Sequence, residues 1–356
     1  MMRTKKSLLE ESKKRASKVV AGFLAFTLAG CSYIKGLEKI VIENQGTINV
    51  KKEKIESHLD YFSFSYDKYL PIDKNRRIHV RVYEPKETFA NVILLPTLGE
   101  PASSLEKFAR EFSSFGYRIY AVDIEGFGES SGQRGCFSIP RVKEDISRVI
   151  EEIEQNKEKI VLCGTSIGSE FSLIYGIEGK YKDKISAIIL HACFAPFLDL
   201  PDFDGRVSFC KFDINRPIVK FITNGKLDLL STLNEKNFYN NLEDIKQIKE
   251  DKNYVLKIDT DSFLNFLNYK LKKSDLNFNK PVLMIVSKDD KLIPFKHSIE
   301  LFWLLRKYNK RTILYIPSGI ETNYEVPHMA FDTNYKEITK TIDIFLKREL
   351  TTLKEK

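Results

Sequence analysis

The chain has 356 residues, 42% hydrophobic and 30% charged, ample apolar material for one sizeable core. Its formal charge is +8, but residues 1–30 carry seven Lys/Arg against two Asp/Glu, and the rest holds 50 basic and 47 acidic residues. A body so close to balance lacks the basic stripe of a nucleic-acid-binding protein, so no nucleic-acid partner is expected.

The early cations, Arg3 to Lys18, precede an apolar run of eleven residues, Val19 to Ala29. That is short for a membrane-spanning helix, which needs about 20 residues. It suits the apolar region of a signal peptide. The run ends in Leu28-Ala29-Gly30-Cys31, which resembles the lipobox of bacterial lipoproteins at every position. The resemblance implies a diacylglyceryl group on the Cys31 sulfur and cleavage before it. The expected location is the bacterial cell envelope, with the chain lipid-anchored to a membrane. Ser32 in place of Asp points to the outer membrane in a Gram-negative cell. Residues 1–30 are thus expected to be a signal peptide and 31–58 a polar tether.

Two alternating runs follow, Tyr61 to Tyr66 and Ile78 to Tyr83, with a turn at Asn75-Arg76. They predict an antiparallel pair. Asn91 to Leu95 is a buried-strand run, residues 105–112 have helical spacing, and Tyr117 to Ile124 is the next strand. Glu125 to Gly132 is a Gly/Ser turn, and Pro140 to Gln155 a helix. Ile160 to Cys163 predicts a strand that runs into Gly164-Thr165-Ser166-Ile167-Gly168, and a helix starts directly behind. Ile185 to Leu190 is another buried strand.

The rhythm breaks over residues 195–280, which are rich in Asp, Asn, Lys and Phe. There the sequence predicts only short helices, such as Phe263 to Leu267. It returns with a strand (Pro281 to Val286), a helix (Phe295 to Tyr308), a strand (Thr312 to Ile316) and a final helix (Tyr335 to Leu350). Apolar strands alternating with helices predict an α/β fold with a mostly parallel sheet covered on both faces. Its core is expected to span residues 59–194 and 281–352, with 195–280 as an inserted cap.

Gly164 to Gly168 fits G-x-S-x-G between a strand and a helix, the setting of a nucleophile elbow. The tight turn lifts the Ser166 hydroxyl at the sheet's C-terminal edge. The Ile167 amide then lies at a helix N-terminus, where it can stabilise an oxyanion. A serine nucleophile needs a base and the base an orienting acid, in the chain order Ser, Asp/Glu, His for this elbow. Of the five histidines, His58, His79, His191, His297 and His328, only His328 lies in a loop after the last strand. His191 is expected to pack at the end of a core strand and His297 to face solvent. Asp289 and Asp290 both stand past the strand at 282–286, and one of them is expected only to shape the turn. The five cysteines show no metal-ligand spacing and no phosphate loop is visible, so no cofactor or metal is expected. Cys163 and Cys193 sit in apolar runs, as core residues do.

These motifs together resemble the α/β-hydrolase superfamily, in its monoacylglycerol-lipase-like and serine-aminopeptidase-like branch. Leu94-Leu95-Pro96-Thr97-Leu98-Gly99-Glu100 is similar to that branch's L-L-H-G-x-G-E, with Pro96-Thr97 where the family has His-Gly. Asp123 to Gly132 follows its D-x-x-G-x-G-x-S-x-G, and Ser287 to Pro294 its G-x-x-D-x-x-V-P. The resemblance implies Ser166 as nucleophile, Asp290 as acid, His328 as base, and the Leu98 and Ile167 amides as oxyanion hole. It implies a serine carboxylic-ester hydrolase. A membrane tether and an aromatic cap (Phe194, Phe197, Phe203, Phe209, Phe212) favour an acylglycerol or lysophospholipid substrate. An acyltransferase or aminopeptidase would use the same triad, and an inactive envelope binding module would tolerate Pro96-Thr97.

Overall fold

The computed structural model describes residues 62–154, 158–198, 200, 216–230, 242–319 and 325–351. The signal peptide, Cys31, the tether, His58, Cys210, Phe203, Phe209 and Phe212 lie outside them. Strand β1 (Phe62–Pro71) and β2 (Arg77–Pro85) form the antiparallel pair, longer than the sequence runs predict. Then come β3 (Ala90–Leu95), α1 (Glu106–Ser114), β4 (Tyr117–Val122), α2 (Ile139–Ile153), β5 (Ile160–Thr165), α3 (Ile167–Glu178) and β6 (Ile185–His191).

Between β6 and the next sheet strand lie α4 (Arg216–Thr223), β7 (Lys226–Asp228), α5 (Leu242–Glu250), β8 (Lys257–Asp259) and α6 (Thr260–Leu267). The three-residue strands β7 and β8 pair with each other, apart from the main sheet. The core then resumes with β9 (Val282–Ile285), α7 (Phe295–Tyr308), β10 (Thr312–Tyr315), α8 (Ala330–Thr333) and α9 (Tyr335–Thr351).

Eight strands form one sheet in the order β1-β2-β4-β3-β5-β6-β9-β10. β2 is antiparallel to β4, and every pairing from β4 through β10 is parallel. This is the α/β-hydrolase fold. The central strands β3 and β5 are buried along their whole length, which is why they read as apolar runs without alternation. Side chains alternate across the sheet, so Val92, Leu94, Val161 and Cys163 pack with α1 and α9 on one face. Ile93, Leu95, Ile160 and Leu162 pack with α2 and α3 on the other. Cys163 and Cys193 are buried free thiols, and burial pushes both thiols up. They serve as small apolar groups.

Candidate active site

Ser166 stands between β5 and α3 with φ 52° and ψ −123°, a conformation that a non-glycine residue adopts only when its surroundings impose it. Those surroundings are specific. The Ser166 amide donates to His191 O at 2.9 Å. The Ser169 hydroxyl lies 2.7 Å from Gly164 O and accepts from the His191 amide at 2.9 Å. The two glycines of the motif make room: a Cβ on Gly164 would run into the Gly168 backbone, and one on Gly168 into the Leu95 carbonyl. Helix α3 can therefore start directly against the end of β3.

The end of β3 leads into a turn closed by the Glu100 amide donating to Thr97 O at 3.1 Å. Gly99, its third residue, has φ +89°, the left-handed value that a type II turn demands there. Among the described residues no turn or loop backbone hydrogen bond takes up the amide of Leu98 or of Ile167. Both residues line one narrow cleft, together with Leu95, Pro96, Thr97, Gly99, Glu100, Ile124, Phe127 and Phe171. The cleft leaves about 10 Å³ for the centre of a water molecule, about enough for one water. From the far side, the Val255 amide donates to Gly99 O at 2.7 Å, and Val255 and Leu229 press against Gly99. The segment between β6 and β9 thus abuts the turn that carries the Leu98 amide.

Asp290 and His328 come together across 38 residues. Nδ1 of His328 lies 2.8 Å from Asp290 Oδ2, and both side chains are buried, 1% and 2% exposed. The other carboxylate oxygen of Asp290 accepts the amides of Leu292 and Ile293 at 2.7 and 2.9 Å. An acid so held offers its remaining oxygen to one imidazole nitrogen in one orientation. Asp289 does something else. Its carboxylate accepts the Val326 amide at 2.9 Å, and its own amide donates to Val326 O at 3.2 Å. It ties down the loop that carries His328.

His191, the last residue of β6, lies near His328. It is fully buried, its Nδ1 lies 2.8 Å from Thr165 Oγ1 and its Nε2 3.0 Å from Ser287 Oγ. Its ring stacks on Phe331 at 4.5 Å. Burial, reinforced by the nearby His328, holds its pKa far below the ordinary value, so it stays a neutral imidazole. It links the residue before Ser166 to the start of the loop that carries Asp290. His297 corrects the sequence reading: it is buried, 5% exposed, and its Nε2 lies 2.8 Å from Phe194 O. Its helix turns the first residues inward because Phe295 and Ile299 need the core. His79 pairs with the buried Asp123 at 2.7 Å and belongs to the β2–β4 packing.

Glu170, in the first turn of α3, is fully buried. Its carboxyl accepts the amides of Phe194 and Ala195 at 2.7 and 3.1 Å. Burial pushes its pKa up to about 8, against the pull of those amides. It fixes the turn after β6, where Ala192 and Ala195 both have positive φ. Sequence gave no signal for this role beyond an acid placed in an apolar helix. Among the described residues no cluster of side chains could hold a metal ion.

Residues 86–317 match the family model described as serine aminopeptidase, S33. The chain belongs to this family of α/β-hydrolases. Solved structures with the same fold include a soluble variant of monoglyceride lipase from Saccharomyces cerevisiae in complex with a substrate analog. It is 17% identical with a TM-score of 0.64, over 84% of this chain and 98% of that one. A monoacylglycerol lipase from Paleococcus ferrophilus is 20% identical with a TM-score of 0.55, over 80% and 100%. A bromoperoxidase from Bacillus anthracis is 19% identical with a TM-score of 0.56, over 79% and 100%. That proteins with such different names share the fold leaves the reaction of this S33-family chain to its own residues. Comparison with curated protein sequences finds no match.

Proposed function

We propose that this chain is a serine hydrolase that cleaves carboxylic esters through an acyl-enzyme, with acylglycerols or lysophospholipids as the substrate class. The observation that carries the reading is the buried Asp290–His328 pair, 2.8 Å apart, on the loops beyond β9 and β10 at the sheet edge that holds Ser166. In this reading Ser166 Oγ bonds to the acyl carbon and gives its proton to His328 Nε2. Asp290 accepts the Nδ1–H and stabilises the imidazolium. The carbonyl π pair moves to oxygen, which the Leu98 and Ile167 amides receive. His328 returns the proton to the departing alcohol. Water then repeats the sequence on the acyl-enzyme. The residues around the cleft are mainly apolar, Leu95, Leu98, Ile124, Phe127, Ile167 and Phe171, which suits an uncharged ester better than a charged peptide. Diacylglyceryl attachment at Cys31 would hold the domain beside such lipids.

A fluorophosphonate probe tests the core of this reading. It should modify the wild type and spare Ser166→Ala, and the wild type should release fatty acid from monoacylglycerol or lysophospholipid. Turnover of short p-nitrophenyl esters alone would remove the lipid substrate class. Pro96-Thr97, where the family has His-Gly, favours a second reading, an inactive fold used as an envelope binding module. Failure of the probe to label the wild type would select it.

A further inference from the structure

Thr97 is 4% exposed, and among the described residues its hydroxyl oxygen has no hydrogen-bond partner. A buried hydroxyl left without a partner is destabilising, and folds retain few of them. This one belongs to a residue lining the cleft shared by Leu98 and Ile167. The only other lining residue with a polar side chain, Glu100, accepts the Ser104 hydroxyl at 3.0 Å. Among the described residues Thr97 therefore brings a buried, unpartnered hydroxyl to a cleft with room for about one water.

We infer that the Thr97 hydroxyl is a third hydrogen-bond donor to the acyl oxygen, acting beside the Leu98 and Ile167 amides. The inference rests on the ester-hydrolase reading above. As the Ser166 Oγ–carbon bond forms, negative charge appears on that oxygen and the serine proton goes to His328. Thr97 keeps its own proton and points it at the charge. Its backbone is held by the turn, where Thr97 O accepts the Glu100 amide. A donor already buried beside the charge needs little reorganisation, and bulk water screens it little. The same hydroxyl is a burden to the free protein, which is the expected pattern for a group kept for function.

The two consequences have opposite signs, and this makes the inference testable. Thr97→Val preserves shape and removes the hydroxyl, whereas Thr97→Ser preserves the hydroxyl. With a p-nitrophenyl ester, Thr97→Val should lose kcat by about 100-fold with KM little changed. Its Tm should rise by about 2 °C or more. Thr97→Ser should keep kcat within about threefold of wild type. The inference is overturned if Thr97→Val keeps kcat within tenfold, if its Tm falls together with its activity, or if Thr97→Ser loses as much as Thr97→Val. Wild type run in parallel separates the two readings. If it neither labels with fluorophosphonate nor turns over, the ester reading fails and takes this one with it. If it does both while Thr97→Val matches it, this inference alone fails.

Discussion

Two adjacent aspartates, Asp289 and Asp290, have the same chemistry and different work. Asp290 is saturated by two amides and the His328 imidazole, whereas Asp289 grips the backbone of Val326. In the proposed reaction Asp290→Asn should leave the fold intact and reduce kcat by about 10³–10⁴-fold, because the amide cannot hold the productive imidazole tautomer. Asp289→Asn should lose far less kcat and lower Tm instead. Steady-state kinetics with a parallel thermal melt distinguishes them. The sequence alone left both carboxylates open, and the family resemblance pointed to Asp290. The sequence alone also isolated His328, because few histidines exist and only one follows the last strand. It could not see that His191 would bridge Thr165 and Ser287, since that requires two strand ends to be neighbours in space. Nor could it place His297, whose burial follows from the packing of a helix and not from its composition.

The junction of β5 and α3 shows what a single element can demand. Gly168 lies so close to the Leu95–Pro96 backbone that no side chain fits between them. Gly168→Ala should destabilise the protein by about 1–3 kcal/mol, measurable by urea unfolding. It should also cut turnover, because the displaced backbone leads to Leu98. Glu170 ties the same helix to the turn after β6, and its titration has a definite sign. Its pKa lies near 8 in the fold against an ordinary 4.5, so the folded chain holds a proton that the unfolded chain releases in that range. Its contribution therefore declines as pH rises from about 4.5 to about 8. Glu170→Gln should remove much of that slope from a plot of Tm against pH. The elements of the core were legible from apolar runs and helical spacing, and the helix at 295–308 agrees to the residue. The strands β7 and β8 were not, because three residues are too few to show a period.

At the scale of the molecule, the parallel sheet could be read from strand–helix alternation, whereas the sheet order β1-β2-β4-β3-β5-β6-β9-β10 could not. The proposed anchoring lies beyond what local packing can speak to. It predicts that Cys31→Ser moves the protein from the membrane fraction to the soluble fraction on cell fractionation, with esterase activity per molecule retained. One feature of the sheet bears on how such a protein can be presented. β1 runs antiparallel to β2, and β2 antiparallel to β4, with Phe62 opposite Pro85 and Tyr83 opposite Ile119. The chain therefore enters the domain at the rim opposite the elbow. Whatever is fastened ahead of Phe62, whether bilayer, resin or fluorescent reporter, joins the domain at its heel, so the join itself does not cover the rim that holds Ser166.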